Sequence, residues 1–315
     1  MTREGRHAAG ADGAGEVVEG GFYGPRSEAW RLNREAMLLL GAGPRALLLQ
    51  IAHPLVAAGV AEHSDFRADP WSRLSGTLGS YLRIVYGTAD AARGEIRRLH
   101  DLHHGIRGDV LDAGVRDRHG RRYSALDPEL SLWVHATLVD STMAAYDAWV
   151  EPLSRQERAR YYEETLPVGQ AFGIPASRLP RDLDAFEAYL DEMLGPDGPI
   201  EIGDVARDLA GSILHPPLGP AVAAAGFPFD RLAAFADAIP SRAYAWLFWP
   251  AIGLLPASVR EGYGFRWGLR ERAVAGWLVA TWSAWRPVLP PTFRQMPQAL
   301  RADRRVGAGE PLLHA

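Results

Sequence analysis

The fold is decided by residues 127–150, which read Asp-Pro-Glu-Leu-Ser-Leu-Trp-Val-His-Ala-Thr-Leu-Val-Asp-Ser-Thr-Met-Ala-Ala-Tyr-Asp-Ala-Trp-Val. Asp127 is a residue type favoured at a helix N-cap, and Pro128 follows at the first helical position. The stretch predicts a helix of about six turns at 3.6 residues per turn. Its apolar residues surround the helix axis instead of forming one stripe, which is typical of a helix packed on several sides.

One histidine, His135, lies in the middle of this apolar helix. A buried neutral imidazole offers a ring nitrogen to a metal ion, but it also serves as a hydrogen-bonded core residue in many proteins. The helix by itself leaves both roles open. Other parts of the chain have to distinguish them.

The composition of the chain limits the classes of protein to which it can belong. The 315 residues are 47% hydrophobic, which is enough for a sizeable core in one large domain or two ordinary ones. Residues 216–228 could form a domain joint, but both flanks are equally apolar, which favours one domain. The net charge of −4 gives no basic face, so no nucleic-acid partner is predicted. The absence of cysteine excludes disulfides, thiolate nucleophiles, iron–sulfur clusters and a thiolate-ligated haem.

Helical periodicity recurs along almost the whole chain, and period-2 alternation is scarce, so the sequence predicts an all-α fold in a single globular domain. Pro44 opens a helix that Pro54 should kink, and Ser154 with Glu157 forms a capping box before another helix. A polar loop or short hairpin is expected at 117–123. Further helices are expected over 27–40, 70–86, 89–106, 155–173, 180–193, 202–214, 229–239, 244–254 and 269–285.

The two ends of the chain differ from its middle. Residues 1–24 are rich in Gly, Ala, Glu and Arg without an apolar run, which predicts a disordered lead and no secretory signal. The helical domain is expected over 25–288, and the Pro-rich, charged tail over 289–315 is expected to lie loosely on the surface. No stretch offers about 20 uninterrupted apolar residues for a spanning helix, so a cytoplasmic protein without a transmembrane segment is expected.

The predicted helix over 70–86 carries polar residues at regular spacing. Arg73 and Thr77 are four residues apart and therefore share one face, which Tyr81 continues. Gly76 and Gly79 each cost about 1 kcal/mol relative to alanine in a helix interior, which suggests that a flat group comes close to this helix. The alternative is a partly exposed arginine above a tightly packed helix pair.

Several other histidines are candidates for a site. His53 and His63 bracket the end of the second helix and are nearly equivalent candidates for a pocket wall. His100, His103 and His104 stand among charged residues, which is typical of a solvated face, although the four-residue spacing of two of them suits zinc. The Glu-x-x-His pairs of a di-iron bundle are missing, so that class is rejected.

Four motifs resemble those of the MpaB-type oxygenases, a family that includes the bacterial rubber oxygenase. The motifs are Gln50-Ile-Ala-His-Pro-Leu-Val-Ala-Ala-Gly-Val-Ala-Glu-His-Ser64, Arg73-Leu-Ser-Gly-Thr77, Leu132-Trp-Val-His-Ala-Thr-Leu138 and Leu255-Pro-Ala-Ser-Val-Arg-Glu-Gly-Tyr-Gly264 followed by Trp267. The resemblance covers roughly residues 28–287. It implies an all-α fold with a globin-like core that holds haem b.

The resemblance also implies roles for individual residues. His135 is the expected proximal iron ligand, and Arg73, Gly76 and Thr77 are expected beside the haem on the distal helix. One imidazole leaves the sixth iron position open for dioxygen, and an arginine can pair with a propionate or donate to oxygen. The rubber oxygenase has a lysine where this chain has Gly76, so neither a lysine-capped resting state nor activity on polyisoprene is expected.

The sequence therefore predicts a haem b-dependent oxygenase acting on a lipophilic small molecule, such as an unsaturated lipid or a terpenoid. Dioxygen is the expected co-substrate, polarised by Arg73 with His53 or His63, and an electron donor stays open as a further partner. Two alternatives remain. One is a haem-binding sensor or carrier without catalysis, and the other is a metal-free helical binder of an apolar ligand.

Overall fold

The computed structural model describes residues 22–63, 70–110, 113–215 and 244–307, with only the backbone of residues 70–75. Within these ranges the protein is built from helices, which confirms the all-α prediction. Three short 3-10 helices cover Ala36–Leu39, Ala245–Phe248 and Arg286–Val288. The α-helices are α1 (Glu28–Asn33), α2 (Ala42–Ala52), α3 (Pro54–His63), α4 (Pro70–Tyr86), α5 (Ala89–His104), α6 (Ala113–His119), α7 (Pro128–Trp149), α8 (Arg155–Ala171), α9 (Leu183–Leu194), α10 (Asp204–Leu214), α11 (Trp249–Gly253), α12 (Ala257–Gly262), α13 (Leu269–Trp285), α14 (Pro291–Arg294) and α15 (Pro297–Val306).

A two-stranded antiparallel hairpin interrupts the helices. Strand β1 (Arg107–Asp109) pairs with β2 (Arg122–Ser124), and α6 lies between them in sequence. The loop or hairpin expected at 117–123 is therefore the end of α6 followed by the start of β2. Gly120, whose φ of 94° suits glycine, turns the chain out of α6.

Helix α7 is central to the described core. Helix α2 runs antiparallel along one side of it, because Gly41 packs against Trp149 and the Leu49 carbonyl accepts the indole N–H of Trp133 at 3.1 Å. A Cβ on Gly41 would lie 2.0 Å from the Trp149 ring, so only glycine fits there. Helix α8 packs along a second side of α7.

The predicted starts of α7 and α8 are confirmed. The Asp127 carboxylate accepts the Glu129 N–H at 2.9 Å, and Pro128 opens α7. At α8, the Ser154 N–H donates to Glu157 Oε2 at 2.8 Å, and Ser154 Oγ accepts the Glu157 N–H at 3.3 Å. These caps satisfy backbone groups that a helix end leaves unpaired, so both boundaries follow from local sequence.

The kink expected at Pro54 is a complete break between α2 and α3. His53 has extended backbone angles and ends α2, and Pro54 starts α3. Within the described ranges, no single helix is long and apolar enough to cross a membrane. The segments Ala36–Ala52 and Pro54–His63 are together long and apolar enough for a membrane span, but the pair is bent by 103°.

The first predicted helix, over 27–40, is shorter than expected. It divides into α1 and the 3-10 helix Ala36–Leu39. Glu35 interrupts it with an extended backbone, because it forms a bridge with Gln295 and accepts hydrogen bonds from the Arg286 guanidinium. Residues 1–21 of the predicted lead lie outside the described residues, whereas Tyr23 packs in the core.

The tail over 289–315 was expected to lie loosely on the surface, and this is wrong for residues 291–306. Helices α14 and α15 form there, and Met296, Ala299 and Ala302 are buried. Asp303 accepts hydrogen bonds from the Trp30 indole and from the buried guanidinium of Arg34, which follows α1. The tail packs on the core because α15 has an apolar face. The charged residues of the tail had indicated a solvated segment instead. Residues 308–315 lie outside the described residues.

Some expectations about the second half of the chain lie outside the described residues. These are the helix over 229–239 and a possible domain joint near 216–228. The helix expected over 244–254 is a 3-10 helix followed by the short α11. The division into lead, domain and tail and the globin-like core stay predictions.

Candidate functional site

His135 lies in the middle of α7 with its side chain buried. Burial lowers the pKa of His135 from 6.5 to about 4, so the ring is neutral at pH 7. Its Nε2 atom has no hydrogen-bond partner within the part of the chain that the structure describes. Buried polar atoms normally have a partner, and a neutral imidazole with an unpaired nitrogen has the chemistry of a metal ligand.

Gly169, near the end of α8, faces the imidazole of His135. A Cβ on Gly169 would lie 3.3 Å from His135 Nε2 and 3.1 Å from Leu179 Cδ2. Any larger residue would therefore take space beside the unpaired nitrogen. Sequence reasoning missed this glycine, although a local signal existed: Pro167 and Gly169 both disfavour a helix interior and stand two residues apart in α8.

The surroundings of the ring are apolar. A buried cluster is formed by Leu132, Ile174 and Leu179, with Leu166 and Tyr189 packed against it. The Nε2 atom is buried, and Gly169 of α8 lies beside it. Pro167, two residues before Gly169, has no backbone N–H and so removes one hydrogen bond from α8.

Helix α4 carries the other predicted site residues. Arg73 belongs to its helical backbone, and the Arg73 side chain lies outside the described part. Gly76 and Thr77 are exposed, and Cβ atoms built on Gly76 and Gly79 would meet nothing within 4 Å in the described structure. Among the described residues, no side chain packs against either glycine, and the choice between a flat group and a packed helix pair at this face stays a prediction.

A buried polar cluster connects α4 with α7 and α8. The Tyr81 hydroxyl donates to Asn33 Oδ1 at 2.6 Å, and Thr142 and Tyr161 hydrogen-bond within the same cluster. Burial raises the pKa of Tyr81 and Tyr161, so both hydroxyls remain protonated. Sequence reasoning noted Tyr81 only as the continuation of a stripe and missed its partners, which come from three other helices.

This cluster relates His135 to the face of α4 that carries Arg73, Thr77 and Tyr81, which we call the α4 stripe. Thr142 follows His135 by seven residues, which is about two turns, so both lie on the same face of α7. Arg73, Thr77 and Tyr81 share one face of α4 by their spacing of four. Tyr81 contacts Thr142, so the carboxyl-terminal half of α4 reaches the face of α7 that also carries His135, two helical turns away.

His53 is a second buried neutral histidine, but its ring is engaged. Its Nδ1 accepts the Leu55 N–H at 3.2 Å and so caps the start of α3. Burial, followed by the nearby His119 ring with its centre 5.8 Å away, lowers the pKa of His53 to about 4. No described contact joins His53 to His135.

His63 lies at the exposed end of α3. Its Nε2 donates to the Arg107 carbonyl at 3.1 Å, and its ring lies 6.0 Å from that of Tyr123. The Tyr123 hydroxyl in turn donates to Glu62. His53 and His63 therefore lie where α3 meets α6 and the hairpin, and no described contact brings either of them to the α4 stripe.

Direct metal binding by a cluster of side chains is not seen in the described ranges, where no three His, Cys, Asp or Glu residues group around a common point. His100 and His104 are exposed on α5, as expected of a solvated face. His135 offers one nitrogen donor. A metal ion bound there has to bring most of its other donors, as the iron of a porphyrin does.

Comparison with known proteins assigns this all-helical chain to a class. Residues 30–285 match the family described as "ER-bound oxygenase mpaB/B'/Rubber oxygenase, catalytic domain". The chain belongs to this family, and the family is one of oxygenases, which confirms the resemblance seen in the motifs. The match spans both α4 and α7, the helices that carry the predicted site.

Individual relatives add little about chemistry. The chain is 28% identical over 147 residues to the uncharacterised proteins Mb2261 of Mycobacterium bovis and Rv2237 of Mycobacterium tuberculosis. These matches cover 45% of this chain and 55% of each relative, so the chain spans about half the length of the relatives it matches. No solved structure matches the chain significantly.

Proposed function

We propose that the protein is a haem b-dependent oxygenase that acts on a lipophilic small molecule such as an unsaturated lipid or a terpenoid. One observation carries the proposal: His135 Nε2 is buried, neutral and without a hydrogen-bond partner among the described residues. Leaving such an atom unpaired costs about 1–3 kcal/mol, which a bond to iron would offset. Family membership supplies the oxygenase class.

His135 is the residue that would hold the haem iron. Its lowered pKa keeps a lone pair on the ring at neutral pH, so no proton has to leave before a metal binds. Gly169 itself places no side chain beside Nε2. The second ring nitrogen is expected to donate to a carbonyl or carboxylate and so fix the tautomer.

The residues of α4 named above would form another wall of the site. Arg73 would donate hydrogen bonds to a porphyrin carboxylate or to dioxygen, and Thr77 would offer its hydroxyl beside it. No described atom lies within 4 Å of a Cβ built on Gly76 or Gly79, which would suit a flat group next to the helix backbone. When bound, haem b supplies the iron chemistry that activates dioxygen, whereas the protein supplies orientation and a wall that excludes water.

Two measurements test this proposal. The protein is produced with haem supplied, and its absorption spectrum and iron and porphyrin content are recorded; a Soret band with one haem per chain is expected. Oxygen uptake and product formation are then followed with an unsaturated lipid and with a terpenoid, with and without a reductant. Haem without turnover would favour a sensor or carrier, and a protein that takes up no haem would leave the metal-free binder.

A further inference from the structure

An exposed apolar face lies on the carboxyl-terminal third of the chain. Five of the seven large apolar side chains that are exposed in the described ranges lie between residues 269 and 293. They are Leu269, Trp277, Trp285, Val288 and Phe293. Single exposed apolar residues are ordinary, but a concentration of them marks an interaction surface.

Helix α13 forms the centre of this face. Exposed apolar positions and glycine recur at helical spacing along its length, at Leu269, Ala273, Gly276, Trp277, Ala280 and Ala284, and the other exposed residues of the helix are Arg270, Arg272, Ser283 and Trp285. Leu269 is 87% exposed and Trp277 is 60% exposed. The opposite side is also apolar, with Ala275 buried against the core, and residues 273–285 carry no charge. A helix that is apolar all round is normally covered on all sides.

Three arginines lie at the amino-terminal end of the exposed apolar residues of α13, which we call the α13 stripe. Arg266, Arg270 and Arg272 are exposed, and no ion pair engages them in the described part of the chain. Their acidic neighbour, Glu271, uses its carboxylate to accept the Gly268 N–H at 2.9 Å, at the start of its own helix. The face therefore combines apolar surface with unpaired positive charge.

A groove opens beside the stripe. It has a volume of about 430 Å³ and is lined mainly by Trp246, Trp249, Val274, Trp277 and Arg270. The Arg270 guanidinium lies 5.7 Å from the centre of the Trp249 ring. Tryptophan and arginine side chains of this kind are suited to the boundary between lipid headgroups and acyl chains, where one end is apolar and the other is wet.

We propose that this face, formed by the α13 stripe with its arginines and groove, docks on an anionic lipid bilayer. Charge complementarity selects this occupant. A second copy of the chain would present the same face, on which Glu271 is the sole acidic residue between residues 264 and 295 and is already engaged. An anionic bilayer offers both apolar depth for the stripe and negative charge for the arginines. The proposal stands independently of haem binding.

The test is flotation of the full chain with lipid vesicles. Vesicles of phosphatidylcholine with about 30 mol% phosphatidylglycerol are compared with pure phosphatidylcholine, at low salt and at about 0.5 M NaCl. Binding to the anionic vesicles that weakens with salt is expected. Equal binding to both vesicles, or to neither, would overturn the proposal.

Variants locate the binding surface. Leu269→Glu with Trp277→Glu should lower the partition coefficient at least about tenfold, because both remove apolar contact with the bilayer. Leu102→Glu with Val205→Glu is the matched control, since these residues are exposed on α5 and α10. A loss of binding in the control as large as in the α13 variant would contradict the assignment of the surface.

The charge contribution is tested separately. Arg270→Gln with Arg272→Gln should lower partition into anionic vesicles about fivefold for each arginine removed. Arg122→Gln with Arg181→Gln, which changes the net charge equally at exposed sites elsewhere, should leave partition nearly unchanged.

Two measurements on the unmodified chain complete the design. Brominated lipids should quench its tryptophan fluorescence in anionic vesicles, and absence of quenching would contradict docking through α13. Sedimentation velocity addresses the rival occupant. A dimer that the α13 variant dissociates, without vesicle binding, would assign the face to a second copy.

Discussion

The middle of α7 and the break between α2 and α3 each hold a buried, neutral histidine, and the two sites differ in one respect. Burial lowers the pKa of both His135 and His53 to about 4. His53 Nδ1 accepts the Leu55 N–H and caps a helix, whereas His135 Nε2 has no partner among the described residues. Burial and pKa are therefore alike at the two histidines, and hydrogen bonding is what differs between them.

The two sites also differ in what surrounds the ring. His53 lies against His119 and the polar junction of α3 with the hairpin region. His135 lies among apolar side chains, and a glycine rather than a donor faces its free nitrogen. A protein that needed only a core residue at position 135 would be more stable with an apolar one, so the retained imidazole indicates a use.

The largest expected effect separates the histidines by haem affinity. His135→Ala should weaken haem binding by at least about a hundredfold, since loss of a ligand exceeds the 10–100-fold cost typical of residues that only orient one. His53→Ala should bind haem with nearly native affinity. Titration of the apoprotein with haem, followed at the Soret band, measures both. Equal losses of haem affinity in the two variants would contradict a specific role of His135 in haem binding.

The next effect concerns acid stability at His53. The unfolded chain binds a proton near pH 6.5, but the folded chain binds it only near pH 4. The contribution of His53 to the free energy of unfolding is therefore fully present above pH 6.5 and is lost as the pH falls toward 4, by about 3 kcal/mol in all. His53→Gln should flatten the curve in this window. Urea unfolding from pH 7.5 to 4.5 measures it, and an unchanged slope in the variant would contradict a buried neutral His53.

A smaller effect tests the space beside His135. Gly169→Ala places a Cβ near Nε2 and should lower haem affinity about tenfold, while stability changes by no more than about 1 kcal/mol because helix propensity and crowding oppose each other. Gly211→Ala in α10, where a Cβ would meet nothing within 4 Å in the described structure, is the control. It should stabilise the fold by about 0.5–1 kcal/mol and leave haem binding unchanged. Native affinity in Gly169→Ala would show that this position does not govern access.

The smallest effect compares the histidines without haem. His135→Leu should leave the stability of the apoprotein unchanged or raise it, because it removes an unpaired buried nitrogen. His53→Leu should cost about 1 kcal/mol, because the Leu55 N–H loses its acceptor. Thermal unfolding at pH 7.5 gives both values. The reverse order would mean that His135 is the better satisfied of the two.

The sequence predicted those parts of the fold that depend on local chemistry. The cap at Asp127 and the capping box at Ser154 and Glu157 depend on neighbours within four residues, as does the disturbance at Pro54, which was expected as a kink and is a complete break. The all-α class followed from periodicity. The place of His135 at the centre of a buried helix followed from the apolar residues around it.

Other features could not be predicted, because they depend on which helix turns meet. The contact of Gly169 with His135 joins residues 34 positions apart in sequence, and the cluster around Tyr81 draws on four helices. The hydrogen bond from Trp30 to Asp303 was likewise not predicted, because the charged composition of the tail did not indicate a buried helix. His53 and His63 were nearly equivalent candidates for a pocket wall, and the structure places both of them where α3 meets α6 and the hairpin.

The central claim is that His135 Nε2 binds the haem iron, and chemical rescue of His135→Gly tests it most directly. The variant should bind haem weakly and lack the spectrum of a histidine-ligated haem, and millimolar free imidazole should restore that spectrum by occupying the vacated position. The native chain and His53→Gly should not respond to imidazole in this way. A native spectrum in His135→Gly without imidazole would contradict the account.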